Sequence, residues 1–320
     1  MTSVVAQDPD ATVAATRRAG VRQVLPSMTP KLAAGLLITG LVILFGVIGP
    51  LVVGDPNAVG NIGLSGPSGT HILGTTQTGQ DVFSQLAYAT RGSLIIGFIV
   101  GVLAMFLSAF FGIVGAYVGG FLDDSFSLFT NVMLVIPGLP LVIVMSSYVQ
   151  QKSIYLIAGV LAVTSWAGGA RVLRSVTLSL RSRDYVAAAK VSGERSWRIM
   201  LVEILPNLVP VMASQFVFAI IFAILGEAGL SFLGLGASGA LTWGTMLYYA
   251  QNGLALRLGA WWWFIPPGLL IAAFGAALSL INFSIDEIIN PKLRDQTRSA
   301  RKRWTVSKEQ LKRVSVEDVP

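Results

Sequence analysis

The chain has 320 residues, of which 53% are hydrophobic and only 12% charged, with a formal net charge of +7. Water-soluble domains usually hold about 25% charge, so the two soluble domains that the length alone would allow give way to a chain whose surface largely faces lipid. Cysteine is absent and His71 is the single histidine, which removes disulfides and thiol catalysis and starves any zinc site of ligands.

The elements follow from where charge is missing, since a membrane-crossing helix needs about 20 apolar residues. Residues 1–31 hold acidic residues, then arginines, and no apolar core; they are expected to be a disordered cytoplasmic arm rather than a signal peptide. Uncharged apolar stretches at 32–54, 92–122, 125–151, 153–170, 204–226 and 258–285 each predict one crossing. Their internal prolines (Pro137, Pro140, Pro210, Pro266, Pro267) are tolerated where neighbouring helices satisfy the freed backbone groups. Residues 56–80 are rich in Gly, Ser, Thr and Asn and predict an exposed loop. Residues 228–256 are uncharged but broken by six glycines; the expectation is the end of the fifth helix, then an outer loop with a possible re-entrant piece.

Six crossings with both termini inside put 20 of the 23 Lys and Arg residues on the cytoplasmic side, leaving only Arg91, Lys152 and Arg257 outside. That asymmetry fits the positive-inside rule; a seventh crossing would carry the basic tail outside. The net charge is thereby explained without nucleic acid. Trp261, Trp262 and Trp263 open the last helix, where indoles favour the membrane interface. The basic tail, 286–320, is expected to lie on the anionic inner leaflet.

The segment 171–203, between the fourth and fifth helices, is too charged for lipid. Within it Tyr185, Ala188, Ala189, Ser192 and Gly193 share one helical face and Arg183, Lys190 and Glu194 another, as the 3.6-residue period requires. Small residues permit close approach of a second body. Geometry leaves open whether that body is another protein or this chain's own helix ends.

Several motifs carry a family resemblance. Ala188, Ala189, Gly193, Leu205 and Pro206 stand in the register of the cytoplasmic Glu-Ala-Ala loop of binding-protein-dependent ABC importer permeases. Ala187 replaces that motif's glutamate and Glu203 its isoleucine. Leu73, Gly74, Thr75, Gly79, Asp81 and Val82 match the Leu-Gly-Thr-Asp-x-x-Gly-Arg-Asp run of the peptide/nickel branch, with Thr76 and Gln80 in place of its Asp and Arg. Gly119, Gly120 and Asp123 match a Gly-Gly-x-x-Asp turn; Leu128 and Asn131 stand where an Arg and an Asp are common. Each time two opposite charges are lost together, as expected if they interact. The run from Glu227 to Gly236 resembles the end of helix five in this branch, and Pro291, Leu293 and Arg294 its closing motif. The resemblance spans about residues 30–294 and points to the partner with an extra N-terminal helix and outer loop.

The resemblance implies an all-α, six-helix type I importer permease fold, with the first helix and outer loop in 32–91 and the core in 92–285. It implies that Asp184, Tyr185, Ala187, Ala188, Ala189, Ser192, Gly193 and Glu194 form a coupling helix seated in an ATPase subunit. The partners implied are a second permease subunit, two ATPase subunits carrying ATP and magnesium, an extracytoplasmic solute-binding protein and membrane lipid. The setting implied is a bacterial or archaeal cytoplasmic membrane. The solute implied is a di- or oligopeptide, with oligosaccharides and nickel complexes as alternatives. Glu227 lies about 23 residues, about 35 Å, along the fifth helix, near the outer boundary. There a carboxylate costs less than the about 2.5–3.5 kcal/mol of the midplane, and structural hydrogen bonding is expected ahead of a gating or solute role. Met212 and Gln215 are further pathway candidates. A stand-alone channel or secondary transporter usually shows ionisable residues in mid-membrane or repeated halves, and neither is found here. For a membrane enzyme, the poverty in histidine and cysteine removes most nucleophile and metal schemes, and no carboxylate pair sits together in a crossing.

Overall fold

Helix-starting residues stand where the chain turns into three of its long helices. In the computed structural model, which describes residues 29–149 and 152–289, Thr29 Oγ1 accepts from the amide of Leu32 at 3.2 Å, with Pro30 in the first turn, to open α1, Pro30–Val52. Asp81 Oδ2 accepts from the amide of Ser84 at 2.8 Å to open α2, Val82–Val118. Ser153 Oγ accepts from the amide of Leu156 at 3.1 Å to open α5, Ile154–Arg181. Each is a side-chain acceptor supplied to an amide that the helix itself leaves unpaired. Between α2 and α5 lie α3, Gly120–Val135, and α4, Gly138–Ser147. The rest comprises α6, Asp184–Val191; α7, Ser196–Phe232; α8, Trp243–Asn252; and α9, Trp261–Ile289. Among the described residues the only extended pairing is an isolated bridge between Thr75 and Asp81.

Five of these helices, α1, α2, α5, α7 and α9, are long and apolar enough to cross a membrane. The sixth apolar stretch, 125–151, is broken instead. Ile136 and Pro137 are extended, with ψ of 123° and 112°, because proline lacks an amide and drives the residue before it out of the helical region. The arm expected at 1–31 and the tail expected at 286–320 fall mostly outside the described residues.

Helix ends differ from the limits that charge suggests. Helix α2 starts ten residues before its uncharged stretch, so Arg91 sits inside the helix. Helix α5 runs on past Ala170 to Arg181. Its arginines do not end it because they are engaged. Arg174 forks onto Asp123 at 2.7 and 2.9 Å, Arg181 donates to the carbonyl of Ala116 at 3.0 Å, and Arg171 donates to Asn131 at 2.8 Å. A charge at the edge of an apolar stretch does not mark where the helix stops.

Helix α2 is central, packed on α5, α7 and α1. Glycines let backbones meet: a Cβ on Gly112 would stand 2.5 Å from the carbonyl of Ala170, and one on Gly92 would overlap the carbonyl of Leu241. Without a hydrophobic drive between helices in lipid, such close packing is what holds them together.

At one end of the bundle the loop 53–81 folds down. Thr75 is fully buried, its Oγ1 donating to the carbonyl of Gly63 at 2.6 Å, and Trp262 Nε1 donates to the carbonyl of Thr75 at 3.2 Å. His71 Nδ1 lies 3.0 Å from Asp81 Oδ1. The tryptophans at the start of α9 diverge: Trp261 is exposed, Trp262 clamps the loop, and Trp263 is in the core beneath Gly253. The other end carries α6.

Candidate functional site

Helix α6 is eight residues long and is seated by one side chain. Val186 is 0% exposed, in a cluster with Ile113 and Tyr117 of α2, Leu173 of α5, and Ile199, Ile204 and Leu208 of α7. Ala189, one turn on, packs partly against the same cluster. Asp184, Tyr185, Ala187, Ala188, Ser192 and Gly193 face out, and Glu194 is half-buried, paired with Arg198 at 2.9 Å. The small-residue stripe therefore divides, Ala189 turning to the bundle and Ala188 and Ser192 away from it. Lys190 does not join a purely solvated back: its Nζ lies 5.4 Å from the centre of the Tyr117 ring, within cation–π range.

Gly193 is the helix stop. The amide of Gly193 donates to the carbonyl of Lys190 and the amide of Glu194 to that of Ala189, both at 3.1 Å, with Gly193 at φ +76°. This is the paired closure that needs a left-handed residue just past the helix. The Leu-Pro pair has a similar local cause. Pro206 removes an amide early in α7, and the turn before it, Ile199–Ile204, is a π-helix in which Leu205 N reaches back to the carbonyl of Met200. A wider turn absorbs what proline would otherwise break. Helix α2 carries a second π turn, Phe110–Val114, in the same Val186 cluster.

The outward surface near α6 holds two residues that the motif does not name. Val191 is 90% exposed and Trp197 55% exposed. The available signal was two large apolar side chains in a segment too charged to enter lipid.

The three pathway candidates separate. Gln215 lines an open groove of about 580 Å³ between α2, α4, α5 and α7, shared with Ser108, Thr164, Ser165, Met105 and Phe222. None of its lining residues is charged. Ser108, Thr164 and Ser165 donate to backbone carbonyls, so their free capacity toward the groove is as acceptors. Gln215 has no hydrogen-bond partner among the described residues, and its amide supplies donors as well. Met212 instead packs beside the α6 cluster. Glu227 is 1% exposed and closed off: its Oε1 accepts from Ser231 Oγ and Thr242 Oγ1, both at 2.6 Å, while Oε2 has no partner. Thr242 also caps α8 in a reciprocal box with Thr245, and Trp243, at the start of α8, donates from its amide to Ser93 at 2.9 Å and from Nε1 to Thr90 at 3.0 Å. Glu227 thus fixes α8 to the end of α7.

The positions where paired charges are lost also resolve. Thr76 and Gln80 touch, the amide of Gln80 donating to Thr76 Oγ1 at 3.2 Å. Asn131 meets Arg171, while Leu128 is exposed and takes no part. Among the described residues no cluster of His, Asp and Glu is arranged to hold a metal ion.

A bundle with five apolar helices long enough to cross a membrane, a small knob held against the ends of three of them and a charge-free groove is the frame of a multi-pass membrane protein. Residues 108–295 match the family of binding-protein-dependent transport system inner membrane components, and the chain belongs to that family. It is 33% identical over 273 residues, 82% of its length and 83% of the other's, to a dipeptide transport system permease protein of Bacillus subtilis. It is 32% identical over 269 residues, 81% of its length and 90% of the other's, to the corresponding protein of Haemophilus influenzae. It is 30% identical over 223 residues, 69% and 76% of the two chains, to an oligopeptide transport system permease protein of Lactococcus lactis.

Proposed function

We propose that this chain is one of two permease subunits of an ATP-driven importer of di- or oligopeptides in a bacterial or archaeal cytoplasmic membrane. Its α6 is the piece gripped by an ATPase subunit. The observation that carries the reading is the form of α6: a short helix fixed to the bundle through Val186, with Ala187, Ala188, Val191 and Ser192 free on its far side. The two π turns beneath it give α2 and α7 places to adjust when the knob is moved. ATP and magnesium belong to the partner ATPases, and solute reaches the pathway from an extracytoplasmic binding protein. Six crossings are counted by taking α3 and α4 together as one kinked crossing, with both termini and α6 in the cytoplasm; the distribution of Lys and Arg supports that orientation. The short helix α8 is then the re-entrant piece expected within 228–256. The groove around Gln215 is this chain's half of the solute path. Its lack of charge suits solutes whose side chains vary in charge, since no fixed ion would hold one of them back. The peptide assignment is carried over from the relatives.

The absence of cysteine makes the test direct. Ser192→Cys in the assembled importer should crosslink to an ATPase subunit and should be labelled by a thiol reagent only from the cytoplasmic side. Labelling from outside, or no crosslink in a complex that still hydrolyses ATP, overturns the reading.

A further inference from the structure

A second groove lies against α2 nearer the loop end than the groove at Gln215, and its chemistry differs. It encloses about 800 Å³ between α1, α2, α7 and α9. Ile43 and Val47 of α1 and Ile95 and Phe98 of α2 form its exposed walls. Phe274 and Leu278 of α9 form its buried floor. The lining is apolar except at two points, the hydroxyl of Thr39 and the guanidinium of Arg91.

Arg91 is exposed and, among the described residues, has neither an ion pair nor a hydrogen bond. Its depth makes that unusual. The position of a Cβ on Gly46 of α1 is 3.4 Å from the amide of Arg91, and Gly46 lies six residues, about 9 Å, before the end of α1. A helix of 23 residues is about 34 Å long, close to the about 30 Å of a bilayer's hydrocarbon core. The Cα of Arg91 is therefore below the edge of the hydrocarbon. A charged side chain there must reach upward or find a counter-charge. Arg91 also lines the polar pocket above, with Asp55 and Tyr88, but Asp55 is not within ion-pairing distance, and its Oδ1 accepts from the amide of Asn57 at 2.9 Å.

We propose that this groove is a specific site for one phospholipid of the leaflet nearer the 53–81 loop, with its phosphate on Arg91 and one acyl chain along the groove. The groove has the required polarity, a lone cation at the mouth and a hydrocarbon wall below it. With the guanidinium reaching up from the level of Gly46 toward that of Leu51, it also has the required length: from Leu51 to Thr39 is about 18 Å of helix, against about 15 Å for half of a hydrocarbon core. The guanidinium presents a fork that matches phosphate oxygens. The lipid would bridge α1, α2 and α9, which all line the groove. The inference is independent of which solute is carried.

The test uses the full chain in nanodiscs of phosphatidylglycerol and phosphatidylcholine, followed by native mass spectrometry in detergent. Wild type and R91K should retain a phosphatidylglycerol adduct, and D55N should retain it equally. R91Q, which removes the anchor, and V47W, which fills the groove without touching the charge, should each lose it at least about fivefold, equivalent to about 1 kcal/mol. A benzophenone amino acid at Ile95, in an otherwise unchanged chain within the complete assembly, should crosslink to phospholipid. Retention of the adduct by R91Q or V47W, loss of it in D55N, or crosslinking at residue 95 to the second permease subunit instead of lipid overturns the proposal.

Discussion

The loop end of the bundle and the knob at its other end are held by different forces. At the loop end, hydrogen bonds tie separate elements together: Glu227 to Thr242, Trp243 to Ser93 and Thr90, Trp262 to the carbonyl of Thr75. At the other end, among the described residues, α6 makes no side-chain hydrogen bond to another long helix, and its seat is Val186 in an apolar cluster. Hydrogen bonds fix direction and register, whereas apolar contact tolerates tilting with little loss. The loop end is thus built to hold its shape and α6 to be pushed, while the helices behind α6 are themselves tied by Arg174 to Asp123 and by Arg181 to the carbonyl of Ala116.

The strongest way to break that comparison is at Val186. Val186→Asp places a carboxylate among Ile113, Leu173, Ile199, Ile204 and Leu208, with Tyr117 and, one turn on, Lys190 as the nearest polar groups. Burial of that kind costs several kcal/mol, well above the about 1.4 kcal/mol that changes an equilibrium tenfold. The helix should leave its seat. In reconstituted vesicles solute uptake should fall by more than about tenfold while the assembly still hydrolyses ATP. Uptake at the normal rate would show that the seat is not what transmits motion.

The next largest effect should be at Glu227, and it should appear as stability. Glu227→Ala removes the acceptor of two buried hydroxyls. A buried donor left unpaired costs about 1–3 kcal/mol. Ser231 can swing to the backbone one turn back and Thr242 retains Thr245, so a net loss of about 2 kcal/mol is expected. Glu227→Gln keeps an acceptor oxygen in place and should cost less than about 1 kcal/mol. Thermal unfolding of the purified chain in detergent reads both. Equal melting of the Glu227→Ala variant and the wild-type chain would mean that the network does not fasten α8.

These contrasts separate what the sequence made legible from what it did not. The six apolar stretches are largely helical because lipid forbids unpaired backbone, so length and polarity suffice to find them. The break at Ile136–Pro137 was less legible, since membrane helices often keep proline and the outcome depends on neighbours. The extension of α5 to Arg181 was hidden because Asp123 and the carbonyl of Ala116, the groups that engage its arginines, come from distant parts of the chain. At α6 the small-residue face was legible from spacing, but which half of it faces the bundle depends on Val186 meeting three other helices. Glu227 was legible as a carboxylate needing partners. Ser231 lies one turn on, whereas Thr242 is brought in only by the fold-back of α8.

Gly193 sharpens the comparison with the smallest change in stability. Its conformation, not its size, is what the fold requires, because a Cβ there would meet nothing within 4 Å. Gly193→Ala should cost about 1 kcal/mol through left-handed strain, and Gly193→Asn less, since asparagine visits that region more readily. Gly193→Trp adds bulk in open space and should melt close to Gly193→Ala in the isolated chain. The assembly should tell the two apart. If an ATPase subunit closes around the end of α6, Gly193→Trp should stop uptake while hydrolysis continues, with Gly193→Ala and Gly193→Asn close to normal. If the alanine and tryptophan variants reduce uptake equally, the glycine matters only for ending the helix, and the gripping surface must lie elsewhere, with Val191 and Trp197 as the exposed apolar residues left to supply it.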